Sequence, residues 1–279
     1  MTQAAVFFQL PSWVLALLLF AVMLGATASG LAVGRRMREH RESLSEPYAV
    51  LQAALLGVVG LVLAFGLSLA VGRYEDRRAA VVADANTIGT TFLRAETLAE
   101  PIRSRSLALL KRYTDTSIRL SEAVPGSDAA NRAIEQGDRI HRALWGLAGQ
   151  ALDGAPAASA PRLYVESLNE MIDEQAVRIA GLENRVPGAV LLLEVVGAAV
   201  ALALLSAYLA VLGRGAVGVA LAATMVTLLL YVTFDLDRPT RGVITVPDKP
   251  LVALRAEMAL PAASSGSDEA RASAGRESP

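Results

Sequence analysis

Four apolar stretches decide what this chain can fold into, because about 20 consecutive apolar residues make a helix long enough to cross a ~30 Å hydrocarbon core. They run from Ser12 to Val33, Tyr48 to Gly72, Pro187 to Leu212 and Ala216 to Phe234. The second carries no charge, and the third carries one, Glu194. In lipid every backbone polar group needs an internal partner, and a helix supplies all of them within one segment. The expected fold is therefore an all-α membrane protein with four transmembrane helices. Ala26-Thr27-Ala28 imitates a cleavage site, but Met1 to Pro11 lacks the basic side chains of a signal peptide, so the first stretch is read as a retained span.

Spacing groups the spans. A short loop with Arg35, Arg36, Arg38 and Arg41 joins the first two, and Gly213-Arg214-Gly215 joins the last two. This gives two hairpins, 1–72 and 187–237, with a polar helical-bundle insert at 73–186 between spans two and three. By parity, the end of span two, the start of span three and the end of span four share one membrane face. Short-loop arginines favour the cytoplasm. Here they flank both faces, with Arg73, Arg77, Arg78, Arg178, Arg185, Arg238 and Arg241 opposing the first cluster, so charge leaves the orientation open.

The insert reads as four helices. Val81, Ala85, Ile88, Phe92, Ala95 and Ala99 form a heptad-like seam. Ile102, Leu109, Tyr113, Thr116, Leu120 and Val124 form a second stripe. Pro125-Gly126-Ser127-Asp128 is a break with an N-cap, followed by Ile134, Ile140, Leu144, Leu147 and Ala151. Beyond a linker at 153–161, Tyr164, Leu168, Met171, Ile172, Ile179 and Leu182 mark a fourth helix expected to run into span three, with Pro187 at the junction. A juxtamembrane segment, 238–261, is expected to be strand-like at Gly242 to Val246. The Ser/Ala/Gly-rich tail, 262–279, is expected to be disordered.

Composition excludes several classes. With 26 basic and 27 acidic residues there is no basic excess, which argues against nucleic acid. The absence of cysteine excludes disulfides, iron–sulfur clusters and cysteine-ligated zinc. His40 and His141 lack a second histidine at ligand spacing. Glu166, Glu170, Asp173 and Glu174 share a helix without the Glu-x-x-His pair of di-iron bundles, so no metal and no cofactor is expected. Gly213 to Gly218 matches a dinucleotide fingerprint in letters only, because it joins two spans where the motif needs a βαβ unit. No nucleophile motif is found, and no enzyme is expected.

Three constellations remain as candidate sites. Glu194 lies roughly 10 Å into the bilayer at 1.5 Å per residue. A carboxylate there costs about 2.5–3.5 kcal/mol, so it should face protein or water, as an ion path, proton relay or gate, or as a carboxyl bonded to a neighbouring helix. A charged mouth gathers Arg73, Tyr74, Glu75, Asp76 and Arg77 after span two with Arg185, Asp235, Asp237 and Arg238 on the same face. Paired, these would clamp the hairpins; around a pore, they would form a selectivity or gating ring. In the insert, Asn86, Thr90 and Arg94 follow one another at i, i+4, i+8. This polar stripe could line a vestibule or hydrogen-bond to the Asn169/Asp173 helix. Small residues such as Ala26, Gly30 and Gly34 recur at helix-packing spacing.

The blocks around these residues resemble the bacterial bestrophin-like membrane family, long catalogued as a domain of unknown function. The resemblance rests on Arg73-Tyr74-Glu75-Asp76-Arg77-Arg78 with Asp84-Ala85-Asn86-Thr87-Ile88-Gly89-Thr90-Thr91-Phe92-Leu93-Arg94. It continues in Leu168-Asn169-Glu170-Met171-Ile172-Asp173 with Arg178 and Arg185-Val186-Pro187. It closes with Asp235-Leu236-Asp237-Arg238-Pro239-Thr240-Arg241-Gly242-Val243-Ile244. Glu194 belongs to none of these blocks. The resemblance implies kinship with bestrophins, pentameric anion channels whose four spans bracket a cytosolic helical region. It implies a homo-oligomer in the bacterial inner (plasma) membrane, with the insert and C-terminus cytoplasmic and a small anion as partner. The alternative is a non-conducting sensor or scaffold whose insert binds a ligand or protein.

Overall fold

The computed structural model describes residues 11–37, 41–213 and 216–260, with the backbone alone at 41–48 and 216. Arg38, His40, Arg214, Gly215 and the tail from Ala262 lie outside the described residues. Among the described residues every regular element is a helix: α1 Ser12–Arg36, α2 Arg41–Glu96, α3 Ile102–Glu122, α4 Asp128–Gly154, α5 Ser159–Glu183, α6 Gly188–Val211, α7 Ala216–Leu236 and α8 Lys249–Glu257. Four of the helices are long and apolar enough to cross a membrane, as the apolar stretches require. The chain is an all-helical, multi-pass membrane protein.

The chain divides into two compact units. The first holds the described residues up to Ala79 together with Ile179–Val246. In it α1 lies against both α6 and α7, and α6 packs on α7. Lipid tails are as apolar as leucine, so contact here depends on close packing more than on escape from water. Gly30 and Gly34 provide that closeness: a Cβ on either would overlap the backbone carbonyls of Ala203 or Ala207 on α6. Leu15, Leu19, Met23, Leu191, Ala198 and Leu202 fill the seam around them. At Gly57 and Gly60 on α2, by contrast, no atom of the described residues lies within 4 Å of where a Cβ would stand.

The second unit holds Ala80–Arg178 and the described residues from Pro247 onward. Its α3 packs on α4 and on α8. The fully buried side chains include Ile88, Leu110, Tyr113, Leu144, Leu168, Met171 and Leu251. Each large apolar side chain so buried contributes about 1.5–3 kcal/mol. Gly126, at φ +78°, makes the turn before α4, and the Ser127 hydroxyl then accepts the Ala130 N–H at 3.2 Å as its N-cap.

The structure corrects three expectations. The fourth insert helix does not run into span three: α5 stops at Glu183 and 184–187 are non-helical before α6. Pro187 explains this, since it disfavours helical geometry at the residue before it. The first insert helix, by contrast, is no separate element, because α2 continues unbroken from span two to Glu96. Gly242 to Val246 forms no strand; amides within it bond to the Asp235 carboxylate. The helix α8 that follows was not expected.

Candidate functional site

The charged mouth is built from the end of α2's apolar run, the residues before α6 and the end of α7. Arg77 is buried and its Nη2 donates to the Leu236 carbonyl at 2.6 Å. Next to Leu236, the buried Asp237 carboxylate accepts the Val186 N–H at 2.9 Å, with the Arg77, Arg185 and Arg73 guanidiniums around it. Burial pushes the Asp237 carboxyl above its ordinary value, against the pull of the Val186 amide and those guanidiniums. Asp235 does a separate task. Its two oxygens accept the N–H groups of Val243 and Ile244 at 3.1 and 2.8 Å, folding the segment after Pro239 back onto the end of α7. Gly242 is needed there: a Cβ would stand 2.7 Å from Asp235 Oδ2. The two acids thus hold backbone amides.

Beside this knot lies a groove of about 650 Å3, walled by Val62, Phe65, Leu69 and Val190, with Arg73, Asp76, Ser68 and Asn184 supplying its polar groups. The Nε of Arg73 is buried with no hydrogen-bond partner among the described residues. Gly66 and Gly72 contribute bare backbone to the groove. Near Gly66, the Glu194 carboxyl is fully buried.

Of the polar residues expected to line the insert, Asp84 faces inward and most of the others do not. Asn86 and Thr90 are exposed, as are Asn169, Glu170 and Asp173 to differing degrees, and Asn169 bonds only along its own helix to Asp173 at 3.3 Å. The inward line runs one residue away, through Asp84, Thr87 and Thr91. Thr91 donates to the Ser167 carbonyl at 3.0 Å, and Asp84 meets Arg178 at 2.6 Å. Ser117 donates to Asp84 at 2.5 Å and also accepts from Arg178. Arg94 does cross to α5, donating to the Leu163 carbonyl at 2.7 Å. A second buried polar group lies nearby: the Tyr113 hydroxyl donates to Gln175 at 3.0 Å, and its ring stands 4.6 Å from that of His141. Burial lowers the His141 imidazole to about 4 and pushes the Tyr113 phenol well up. Among the described residues no group of acidic or histidine side chains is placed to hold a metal ion.

A family model, the Bestrophin-like domain, matches residues 16–251. The chain belongs to this Bestrophin-like family. Crystal structures of a bacterial Bestrophin homolog from Klebsiella pneumoniae are similar in fold. One single-substitution variant is 15% identical, with a TM-score of 0.59 over 85% of this chain and 95% of that one. Another is 14% identical, with a TM-score of 0.61 over 85% and 96%. A third structure of the homolog is 15% identical, with a TM-score of 0.57 over 85% and 94%. No curated protein matches the chain in sequence.

The blocks that resemble the bestrophin-like family now have physical roles in this chain. Arg77 and Asp237 tie the ends of the spans together, and Asp235 with Gly242 folds the segment after Pro239 onto the end of α7. Tyr74 packs against the core of the first unit, and Pro239 is buried at the turn that Asp235 stabilises. Asp84 and Arg178 form the centre of the insert. Sequence reasoning missed Ser117, Gln175 and Tyr113 as polar partners; no motif marks them, and only the packing of their helices, α3 and α5, brings them to their partners.

Proposed function

We propose that this Bestrophin-like protein assembles as a homo-oligomer in the bacterial plasma membrane and conducts small anions along α2. In this reading 1–72 and 187–237 are the membrane hairpins, while 73–186 and the C-terminal segment lie on the cytoplasmic side. The observation that carries it is the uneven burial of α2. Leu63, Gly66, Ala70 and Arg77 point into the chain's own packing, while Val58, Leu61 and Phe65 lie on the opposite flank, with Phe65 67% exposed. A span left this open within one copy is suited to meet other copies and a central pathway. An apolar lining of this kind suits a constriction that gates by dewetting. Arg73, at the mouth end of the same helix, supplies positive charge to draw an anion inward.

The test is halide flux from liposomes holding the purified, folded protein, with its assembly mass measured alongside. The reading expects a mass of several copies and halide flux above that of empty liposomes, reduced by Arg73→Ala. A monomer, or absence of flux from inserted protein, refutes it and leaves the sensor or scaffold reading, in which the insert binds a partner.

A further inference from the structure

We propose that Glu194 is a proton-binding site within the membrane, and that its bound proton keeps α2 seated on α6. The site stands apart from the charged mouth and does not depend on whether the protein conducts.

Three observations meet at this residue. Glu194 is on α6, 0% exposed, and neither carboxyl oxygen has a hydrogen-bond partner among the described residues. Its carboxyl rests directly on the backbone of α2 at Gly66, where a Cβ would overlap Oε1. Glycine at 66 is thus the seat of the carboxyl, and any larger residue would expel it. Finally, Gly66 and Val190, the residue one turn before Glu194, both line the 650 Å3 groove that opens at Arg73, Asp76 and Asn184. The buried carboxyl therefore lies one glycine backbone away from a concave surface with a polar mouth.

Among the described residues, the helices around it supply no cation to pair with it. On its own helix the only other ionisable residue is Tyr208. On α2, the charge-free run from Tyr48 to Gly72 ends at Arg73, seven residues beyond Gly66, roughly 10 Å along the helix. The ionisable residues of α1 are Arg35 and Arg36 at its C-terminal end, and those of α7 are Tyr231 and Asp235. An ionised carboxylate in an apolar site costs far more than a neutral carboxyl, so an unpaired acid there takes up a proton. Protonated, the group has a hydrogen to donate; ionised, it is an acceptor only and needs donors the seat does not provide.

The switch follows from the chemistry. When the O–H bond breaks, the proton passes to water in the groove. The carboxylate left behind is drawn toward that water, past Gly66, and the α2–α6 contact loosens. Rebinding a proton restores the neutral group and the contact.

Infrared titration of the full chain in lipid nanodiscs tests the site. The expected result is a protonated-carboxyl absorption at neutral pH that shifts on carboxyl-13C glutamate labelling, is absent from Glu194→Gln, and disappears on alkaline titration. The movement has its own readout, because the chain has no native cysteine. A Cβ at position 197 would stand 3.5 Å from a Val59 methyl, a spacing compatible with a disulfide between Val59→Cys and Gly197→Cys. Cross-linking yield should fall at alkaline pH relative to the same pair carrying Glu194→Gln. The labelled native chain keeps the test decisive if Glu194→Gln fails to insert. Absence of a protonated glutamate band at neutral pH overturns the site. A band that never titrates, or cross-linking with the same pH profile with and without Glu194→Gln, overturns the switch.

Discussion

Removing the Arg178 guanidinium should unfold the helical insert more readily than any surface charge change. Arg178 and Asp84 have side chains 3% and 0% exposed and meet at 2.6 Å. The guanidinium also donates to the Ser117 carbonyl at 3.0 Å and the Ser121 hydroxyl at 2.5 Å. Arg178→Met keeps the alkyl stem but leaves Asp84 as a buried charge without its cation. Breaking a buried pair in this way costs about 3–5 kcal/mol, most of it the stranded charge. The paired change Asp84→Leu with Arg178→Met removes both charges and should recover most of that loss. A double-mutant cycle isolates the coupling. The assay is denaturant unfolding followed by Trp145, which lies on α4, in a Trp13→Phe background that silences the other tryptophan. A loss below about 1 kcal/mol for Arg178→Met, the value of an exposed pair, would refute the reasoning. So would single losses that simply add.

Acid should weaken the same unit. Burial holds His141 at about 4 against an ordinary 6.5, so the folded insert refuses a proton that the unfolded chain accepts. The stability contributed is full above about pH 6.5 and is lost as pH falls toward about 4, to a total of roughly 3 kcal/mol. Comparing the pH profiles of native and His141→Gln protein isolates this from the carboxylates; identical profiles would count against it. In the first unit, Gly30→Ala should destabilise by about 1–3 kcal/mol through overpacking against the Ala203 carbonyl. Gly57→Ala, facing open space, should change little in the same detergent-unfolding assay. Equal effects at the two glycines would contradict the packing described.

The spans were legible because an uncharged apolar run of about 20 residues matches the thickness of a bilayer and little else, and Glu194 was marked by its charge alone. What it rests on was not legible: Gly66 is one of several glycines in α2, and nothing local distinguishes it. The insert's apolar seams were also readable, since Ile88, Tyr113, Leu144 and Leu168 recur at helical spacing and are buried. Its polar line was displaced by one residue. Thr87, Thr90 and Thr91 are chemically alike, so spacing identifies a line of polar residues without saying which line faces inward. The β-branched run Val243-Ile244-Thr245-Val246 suggests a strand, but a carboxylate from α7 captures its first amides before any strand partner is needed. Such a capture depends on a side chain meeting a backbone turn and leaves no periodic signal.

The central claim is that α2 lines an anion pathway. Its most direct test is halide current in planar bilayers, with single cysteines placed at Val58, Leu61 or Phe65 in this cysteine-free chain and exposed to a charged, water-soluble thiol reagent. The account predicts current that the reagent blocks at these positions and leaves intact in the native chain. Current that persists unchanged after confirmed modification at all three positions would contradict it.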